Sequence, residues 1–424
     1  MARRIGLCLF LFAGLDVFGA TEHWIGTWGA APQHWLTGSL QSFENQTIRL
    51  IVHTSAGGKR VRIRLSNAYG EQPLHLGAVH IAKRTSGAEI DPASDRALTF
   101  SGQPSTTIAP HATAISDAAD LDVPALSDLA VSMYFPDIAM ATTIHSLAKQ
   151  TSYLSTDPGN VCANAKLATT KTIRNWPYLT AVDVVSSGVT VVAFGSSLTD
   201  GDGSTRDTNH RFPDYLAERV EKCGEFGVLN EGIIGNRLLR DFNSPGQKNG
   251  PFSPVFEELG PSLGEAGVKR FDRDVLDQPG VKYVILGLGI NDILFPGSFT
   301  PATEKVTAQD IIAANRQLLA RAHKRGVRVI ITTLPGHEGA FFPSPTMHFY
   351  TPENEKTRQA VNEWARTTKE FDGMVDFDEM VRDPAQPSRI RPDFDSGDHL
   401  HPNDAGYAAQ ANAIPLSLFG CASQ

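Results

Sequence analysis

The chain has 424 residues, of which 41% are apolar and 20% charged. It is therefore long enough for two or three domains and too apolar for wholesale disorder. The 38 Lys and Arg residues are outnumbered by 46 Asp and Glu residues, a net charge of -8, which argues against a nucleic-acid-binding surface.

The first twenty residues have the composition of a signal peptide. Arg3 and Arg4 form a charged start, an apolar run follows at residues 5–15, and the small residues Gly19 and Ala20 come next. The apolar run is too short to span a bilayer, and no later stretch is apolar enough to do so. We expect residues 1–20 to be a signal peptide and the protein to be secreted or periplasmic. A ragged N-terminal helix of a cytosolic protein is the alternative.

Residues 22–187 are predicted to be rich in β-strands. Apolar and polar residues alternate in 47–53 and in 60–65, the period expected of half-buried strands, with Gly57 and Gly58 forming a turn between them. Further short strands are predicted at 76–81, 130–135 and 143–146. Because no long helical pattern interrupts them, a β-sandwich or jelly-roll domain is expected.

Residues 188–424 instead alternate strands and helices. Strands are predicted at 189–194, 227–230, 282–288, 327–334 and 374–377. Helices are predicted at 212–223, 307–324, 353–371 and 403–418. This order predicts a parallel sheet covered by helices on both faces, with ligands bound beyond the carboxyl ends of the strands.

Polar groups follow four of these strands. Ser197 follows the first, Gly235 the second and Asn291 the third, while Asp398 and His401 follow the fifth. Because the carboxyl ends of parallel strands share one edge of the sheet, these groups are expected to lie together.

These residue types are those of an acyl-transfer site. A serine hydroxyl becomes nucleophilic when a histidine takes its proton, and a carboxylate orients that histidine. The intermediate carries an oxyanion that needs preorganised donors. Donors are expected from the Ser197 N–H, the Gly235 N–H and the Asn291 amide, with Asp398 and His401 as the other two members of a catalytic triad.

The same loops resemble the sequence blocks of the SGNH/GDSL hydrolases. The segment 195–198 (GSSL) resembles the Gly-Asp-Ser-Leu block, 234–236 (IGN) the oxyanion-glycine block, 289–292 (GIND) the Gly-x-Asn-Asp block and 398–402 (DHLHP) the Asp-x-x-His-Pro block. The residues WIGTWGAAP at 24–32 resemble the N-terminal domain of a secreted subfamily. The resemblance implies a flavodoxin-like, three-layer α/β hydrolase domain and serine ester hydrolysis without a cofactor.

One position departs from the family pattern. Ser196 stands where the family usually has an aspartate, so that the site keeps one potential hydrogen bond but loses a charge. Asp200 is a nearby carboxylate that could take its place.

Other interpretations of these residues remain open. Ser197 could be a turn hydroxyl, and Asn291 could cap a helix. His399, His401 and Asp398 could bind a metal, although no further ligand is evident. Ser262 lies in a Gly-x-Ser-x-Gly motif, but the sequence around it lacks the strand and helix that a nucleophile elbow needs.

His210 and His337 are expected to be surface or core residues, although the place of His337 just past the fourth strand would also allow contact with substrate. Cys223 and Cys421 are expected at the opposite edge, where a disulfide between them is feasible.

The resemblance and the expected secretion together imply a serine esterase that acts on short acyl esters, such as acetyl groups on carbohydrate. A lipase or arylesterase with a broader acyl range is one alternative. A carbohydrate-binding protein with a weakened hydrolase domain is another. The expected partners are a small-molecule or polysaccharide ester; no cofactor, metal, nucleic acid or membrane span is expected.

Overall fold

A computed structural model describes residues 22–35, 40–242, 260–341 and 349–421 of the chain. The signal peptide predicted at residues 1–20, including Cys8, lies outside the described residues. No helix within the described ranges is long and apolar enough to cross a membrane.

The first part of the chain consists of strands that pair antiparallel. They are β1 (Trp24–Gly29), β2 (Gln33–His34), β3 (Ser42–Phe43), β4 (Gln46–His53), β5 (Gly58–Ser66), β6 (Leu74–Leu76), β7 (Ala78–Ser86), β8 (Glu89–Ile90), β9 (Arg96–Ala97), β10 (Thr106–Ile108), β11 (Thr113–Ile115), β12 (Ala119–Val123), β13 (Asp128–Phe135), β14 (Ala139–Met140), β15 (Thr143–His145), β16 (Ser152–Pro158), β17 (Lys171–Ile173), β18 (Trp176–Pro177) and β19 (Leu179–Val185). We call this part the N-terminal region.

Two of its sheets bury their apolar residues in one shared core. One sheet centres on β4 and β13, and the other on β5 and β19. Alternate residues such as Leu50, Val131, Ile63 and Val182 are fully buried together. The period-two pattern of the sequence is therefore explained by one face of each sheet packing inwards.

The strand predicted at 76–81 is wrong in one respect, because it is two strands. β6 pairs with β10, whereas β7 pairs with β13, so that the chain changes partner at Gly77. A side chain at Gly77 would lie 2.8 Å from the Tyr134 ring, so glycine allows this close passage.

The second part contains one five-stranded parallel sheet in the order β21-β20-β22-β23-β24. Its strands are β20 (Val189–Gly195), β21 (Phe226–Gly232), β22 (Val281–Gly287), β23 (Arg328–Thr332) and β24 (Gly373–Val375). β20, the first strand along the chain, lies between β21 and β22, so that the loops after these three strands meet at one edge.

The helices of this part lie between and after the parallel strands. They are α1 (Ser197–Asp200), α2 (Phe212–Glu221), α3 (Gly267–Phe271), α4 (Ile290–Leu294), α5 (Ala308–Lys324), α6 (Pro352–Thr367), α7 (Phe377–Val381) and α8 (Asp404–Ala413). Short 3-10 turns occur at Pro92–Ser94, Gly260–Leu263, Ala302–Glu304 and Leu416–Phe419, and a π-turn at Asp272–Leu276 follows α3.

Three helix predictions were too long. The helix predicted at 212–223 ends at Glu221. The helix predicted at 353–371 ends at Thr367. The helix predicted at 403–418 ends at Ala413, because Pro415 has no N–H to continue the ladder, and the chain resumes as a 3-10 turn. The short helices α1, α3, α4 and α7 were not predicted.

The disulfide expected from the placement of these helices is present. Cys223 and Cys421 are bonded, with their Cα atoms 5.7 Å apart and a separation of 198 positions in the sequence. The bond ties the end of α2 to the segment after α8. Cys162 is buried as a free thiol in the N-terminal region.

The N-terminal region packs directly against β21, the outer strand of the parallel sheet. The Ser55 hydroxyl accepts the N–H of Val228 at 2.8 Å. The backbone of β1 passes so close that a side chain at Gly227 would lie 1.8 Å from the Gly26 carbonyl oxygen. The edge strand of the parallel sheet is thereby covered by another part of the same chain.

Candidate active site

The loops after β20 and before α8 bring a serine, a histidine and an aspartate into line. Ser197 Oγ lies 2.8 Å from His401 Nε2. His401 Nδ1 lies 2.5 Å from Asp398 Oδ2. Ser197 and His401 are 5% and 3% exposed, so that little bulk water competes for these hydrogen bonds. This order of contacts is the one needed to deprotonate a serine.

The local backbone holds Asp398 as an ionised carboxylate. Burial raises the pKa of Asp398, but hydrogen bonds outweigh it and lower the pKa below its usual range. These come from the His401 ring and from the backbone N–H groups of Leu400 and His401, at 2.9 and 2.8 Å from Oδ1. A carboxylate that stays charged can accept a hydrogen bond from the Nδ1–H group of His401 and so orient the imidazole.

A second carboxylate, that of Asp202, raises the pKa of the same histidine. Asp202 Oδ2 lies 4.0 Å from His401 Nδ1, and Asp202 Oδ1 lies 3.2 Å from the Lys149 ammonium. Burial lowers the pKa of His401, but the bond to Asp398 and the charges of Asp202 and Asp398 outweigh it, so that the pKa is raised. Lys149, from the N-terminal region, opposes this shift.

The three predicted oxyanion donors border the same cavity as Ser197 Oγ. Gly235 has a φ of +70°, a conformation that favours glycine. The Asn291 amide nitrogen donates to the Asn236 carbonyl at 2.9 Å, which fixes the amide and leaves its second proton for another acceptor.

Two buried charged side chains, Asp292 and Arg270, form hydrogen bonds to the backbone in and next to these loops. The Asp292 carboxylate accepts the N–H groups of Leu238 and Leu239 at 2.6 and 2.9 Å, and burial raises its pKa to about 6. The Arg270 guanidinium donates to the Gly195 and Glu231 carbonyl oxygens, both at 2.9 Å. It therefore ties the ends of β20 and β21 together just before the loops begin.

Ser196 does not behave as expected. It is fully buried, and its hydroxyl finds no hydrogen-bond partner among the described residues, so that the single bond expected of it is absent. Asp200 is bonded instead: its Oδ2 accepts the Ile234 N–H at 2.8 Å and its Oδ1 faces His145 at 3.0 Å. The carboxylate of this loop therefore belongs to Asp200, three residues after Ser197, rather than to the residue directly before Ser197.

A cavity of about 230 Å³ opens beside Ser197. Most of the side chains around it are apolar, and they are Leu147, Ile234, Leu263, Phe295, Phe299, Phe349 and Leu400. Ser146 and Leu147 belong to the N-terminal region, which therefore forms part of the wall. The sequence predicted a strand at 143–146 but gave no sign that the next residues reach the cavity.

Other residues singled out in the sequence lie outside the serine-histidine contact. Ser262 lies in the 3-10 turn at Gly260–Leu263, where it borders the cavity. His399 is exposed and paired with Asp395 at 2.5 Å. His337 is fully buried, does not border the cavity, and has its pKa lowered to about 3 by burial and by Arg358. His337 is therefore a core residue, one of the two environments expected for it, and the alternative of substrate contact is not supported.

No group of three or more His, Cys, Asp or Glu side chains within the described ranges is arranged to hold a metal ion. His399 and His401, considered as metal ligands from the sequence, point to different carboxylates, since Asp395 holds one and Asp398 the other.

A parallel α/β domain with a buried serine, histidine and aspartate in line defines a serine hydrolase architecture. The family of GDSL-like lipases and acylhydrolases matches residues 191–414, more than half of the chain, and the protein belongs to this family. It is therefore a carboxylic ester hydrolase. None of the curated proteins matches the chain.

Solved structures of low sequence identity resemble part of the chain. The native aryl esterase of M. smegmatis is 18% identical and covers 55% of this chain and 100% of its own, with a TM-score of 0.39. A carbohydrate acetylesterase from Sinorhizobium meliloti is 15% identical and covers 55% and 99%, with a TM-score of 0.38. A GDSL-like lipase from Bacteroides thetaiotaomicron is 17% identical and covers 55% and 88%, with a TM-score of 0.37.

Proposed function

We propose that the protein hydrolyses carboxylic esters through an acyl-enzyme on Ser197, with His401 as the base and Asp398 as its orienting carboxylate. The observation that carries the proposal is the continuous pair of contacts from Ser197 Oγ to His401 Nε2 and from His401 Nδ1 to Asp398.

In the first half-reaction, Ser197 Oγ forms a bond to the ester carbonyl carbon while its proton passes to His401 Nε2. The carbonyl electron pair moves onto oxygen, which accepts hydrogen bonds from the N–H groups of Ser197 and Gly235 and from the Asn291 amide. The intermediate collapses, the carbon–alkoxy bond breaks, and the leaving alkoxide takes the proton from His401.

In the second half-reaction, a water molecule takes the place of Ser197 as the nucleophile. His401 takes a proton from the water as its oxygen attacks the acyl carbon, and the same donors stabilise the second oxyanion. The bond to Ser197 Oγ then breaks, the serine recovers its proton from His401, and the acid leaves. Asp398 remains ionised and stabilises the imidazolium in both halves.

The cavity favours an apolar acyl or aryl group. Seven apolar side chains, three of them phenylalanines, surround the space next to Ser197. The short acyl ester expected from the sequence, such as acetyl on carbohydrate, would place a single methyl group in this space. Burial of each further methylene is worth about 0.8 kcal/mol, so a longer chain gains binding that acetyl cannot. The arylesterase or lipase alternative is therefore the better supported of the two.

We further infer a secreted or periplasmic protein with a signal peptide at 1–20, a β-sandwich at 22–187 and a flavodoxin-like, three-layer hydrolase domain at 188–424. The parallel strand order with β20 inside β21 and β22 supports the last of these.

The test is hydrolysis of p-nitrophenyl acetate and p-nitrophenyl octanoate by the wild type, Ser197→Ala and Ser262→Ala. We expect Ser197→Ala to lose at least about 10⁴-fold in kcat with its fold intact. Ser262→Ala, the serine of the other motif, is expected to keep at least about a tenth of wild-type kcat, since it borders the cavity without a place in the chemistry.

The chain-length ratio tests the substrate assignment. We expect kcat/KM for octanoate to exceed that for acetate by at least about tenfold. A preference for acetate would restore the acetylesterase assignment. An active Ser197→Ala variant would remove Ser197 from the mechanism, and an inactive wild type that binds soluble polysaccharide would favour the binding-protein alternative.

A further inference from the structure

A second histidine–carboxylate pair lies at the end of the short helix that begins at the proposed nucleophile. His145 Nε2 is 3.0 Å from Asp200 Oδ1, and the two side chains are only 3% and 1% exposed. His145 is the last residue of β15 in the N-terminal region, whereas Asp200 is the last residue of α1, the helix that begins at Ser197. The contact therefore joins the two parts of the chain at the site itself.

His145 is held in place from the N-terminal side. Its Nδ1 lies 2.9 Å from the Ala31 carbonyl oxygen, and its ring packs on Trp176 with 5.6 Å between ring centroids. Trp176 is fixed in turn by a hydrogen bond from its indole N–H to the Ile51 carbonyl at 2.9 Å. The imidazole thus rests on the core of the N-terminal region.

The proton arrangement of the pair follows from its neighbours. A carbonyl oxygen only accepts hydrogen bonds, so Nδ1 of His145 carries a proton. The other nitrogen faces a carboxylate oxygen, so one further proton is shared between His145 and Asp200. The hydrogen bond persists wherever that proton resides, and it fixes the orientation of the Asp200 carboxylate.

The second oxygen of Asp200 reaches the oxyanion loop. Asp200 Oδ2 accepts the Ile234 N–H at 2.8 Å, and the next residue is Gly235, whose N–H is one of the proposed oxyanion donors. A second hydrogen bond also connects α1 to β21, since the Asn230 amide donates to the Thr199 carbonyl at 2.8 Å. Asp200 and His145 do not border the cavity beside Ser197, so neither touches the substrate.

We propose that His145 and Asp200 are positioning residues, through which the N-terminal region sets the direction of the Gly235 N–H towards the oxyanion. The inference rests on the proposed function and extends it to a residue outside the hydrolase domain. Oxyanion donors act because they are already aligned where charge develops. Loss of that alignment weakens transition-state binding more than substrate binding, and therefore lowers kcat while leaving KM nearly unchanged.

Two substitutions of one side chain separate the two bonds of His145. In His145→Gln the side-chain amide reaches the place of Nε2 and keeps a donor to Asp200. In His145→Asn the amide reaches only the place of Nδ1 and keeps the donor to Ala31. We expect His145→Gln to stay within about threefold of wild-type kcat, and His145→Asn to lose about 10- to 100-fold with KM within about twofold, a loss below that of deleting an oxyanion donor outright.

A second pair tests the carboxylate. In Asp200→Asn the amide oxygen can still accept the Ile234 N–H while its NH₂ donates to a neutral His145, so most of kcat is retained. Asp200→Ala removes both bonds and is expected to lose kcat at least as severely as His145→Asn. Because this pair does not alter the N-terminal region, it gives a decision even where a His145 variant fails to fold.

Each variant is titrated with a phosphonate ester that labels the active serine, so that kcat refers to folded sites. Equal kcat in the conservative and disruptive member of both pairs, or losses that vanish after this correction, would overturn the inference. An active Ser197→Ala would instead defeat the proposed function. An inactive Ser197→Ala beside unaffected His145 and Asp200 variants would defeat the positioning role alone.

Discussion

The loop at 395–402 and the N-terminal segment at 143–151 each bring a histidine to the neighbourhood of Ser197. Both histidines contact an aspartate, at 2.5 Å for His401 with Asp398 and at 3.0 Å for His145 with Asp200. They differ in what the remaining nitrogen faces. His401 presents Nε2 to a hydroxyl beside the cavity, whereas His145 presents Nδ1 to a backbone carbonyl inside the core.

This difference distinguishes a histidine that can transfer a proton from one that can only hold its neighbours in place. A histidine can act as a base only where one nitrogen is free of protons and within reach of the reacting group. His401 meets that condition and His145 does not, because its Nδ1 is committed to Ala31. In the proposed mechanism the pair of His401 and Asp398 therefore serves proton transfer, whereas the pair of His145 and Asp200 serves to position a loop. The group that faces the remaining histidine nitrogen distinguishes the two roles.

The largest effect should come from breaking the chemical pair. In Asp398→Asn the ring of His401 faces an amide that can donate to Nδ1 and hold the wrong tautomer, so we expect kcat to fall by about 10³- to 10⁴-fold. Asp393→Asn is the matched control. Asp393 is an exposed carboxylate just before this loop whose side chain pairs with Arg391, and its loss should leave kcat unchanged. Comparable losses in the two variants would show that loop folding, rather than His401, is what Asp398 supports.

A smaller effect is expected from the charges around His401. Only neutral His401 can take the proton of Ser197, so activity rises with pH as this histidine deprotonates. Its raised pKa places the acid limb of kcat/KM above the reference value of 6.5.

Opposite substitutions at one ion pair should move that limb in opposite directions. Asp202→Asn removes a negative charge near Nδ1 and is expected to shift the limb to lower pH. Lys149→Met removes the opposing positive charge and is expected to shift it to higher pH. Full pH profiles for both variants test the assignment, which fails where the limb is unmoved in both or moves the same way.

The smallest effect on activity is expected at the opposite edge of the sheet. Opening the disulfide in Cys223→Ser should cost about 2–5 kcal/mol of unfolding free energy, because the bond closes a loop of 198 residues in the unfolded chain. Thermal denaturation should show a lower Tm, while kcat at 25 °C stays within about twofold because the bond is remote from Ser197. A strong fall in kcat without a fall in Tm would contradict this separation.

The two segments also differ in how much the sequence could predict. Asp398 and His401 lie three residues apart, so their contact is local, and the loops that carry Ser197, Gly235 and Asn291 each follow a strand that its apolar run reveals. The order of the parallel strands then brings Ser197, Gly235 and Asn291 to one edge. These placements need only short-range patterns and one general rule about parallel sheets.

The role of His145 could not be predicted in this way. It contacts a residue 55 positions away in another part of the fold, and nothing in the alternating pattern of β15 sets it apart from an ordinary buried histidine. Lys149 and Leu147 were missed for the same reason. The turn that carries them past Ser197 depends on how the N-terminal region packs on β21, which is a tertiary property.

The hydrogen bond from Val228 to Ser55 has a consequence for any attempt to work with the hydrolase half alone. A fragment starting near residue 188 would expose the backbone donors of β21 and the Leu229 side chain, which now lies against Gly26 and Gly29. An exposed edge strand of this kind pairs readily with strands of other molecules. Because the N-terminal region covers that edge, we expect the isolated second part to aggregate, and the boundary between the two parts is a poor place to divide the chain.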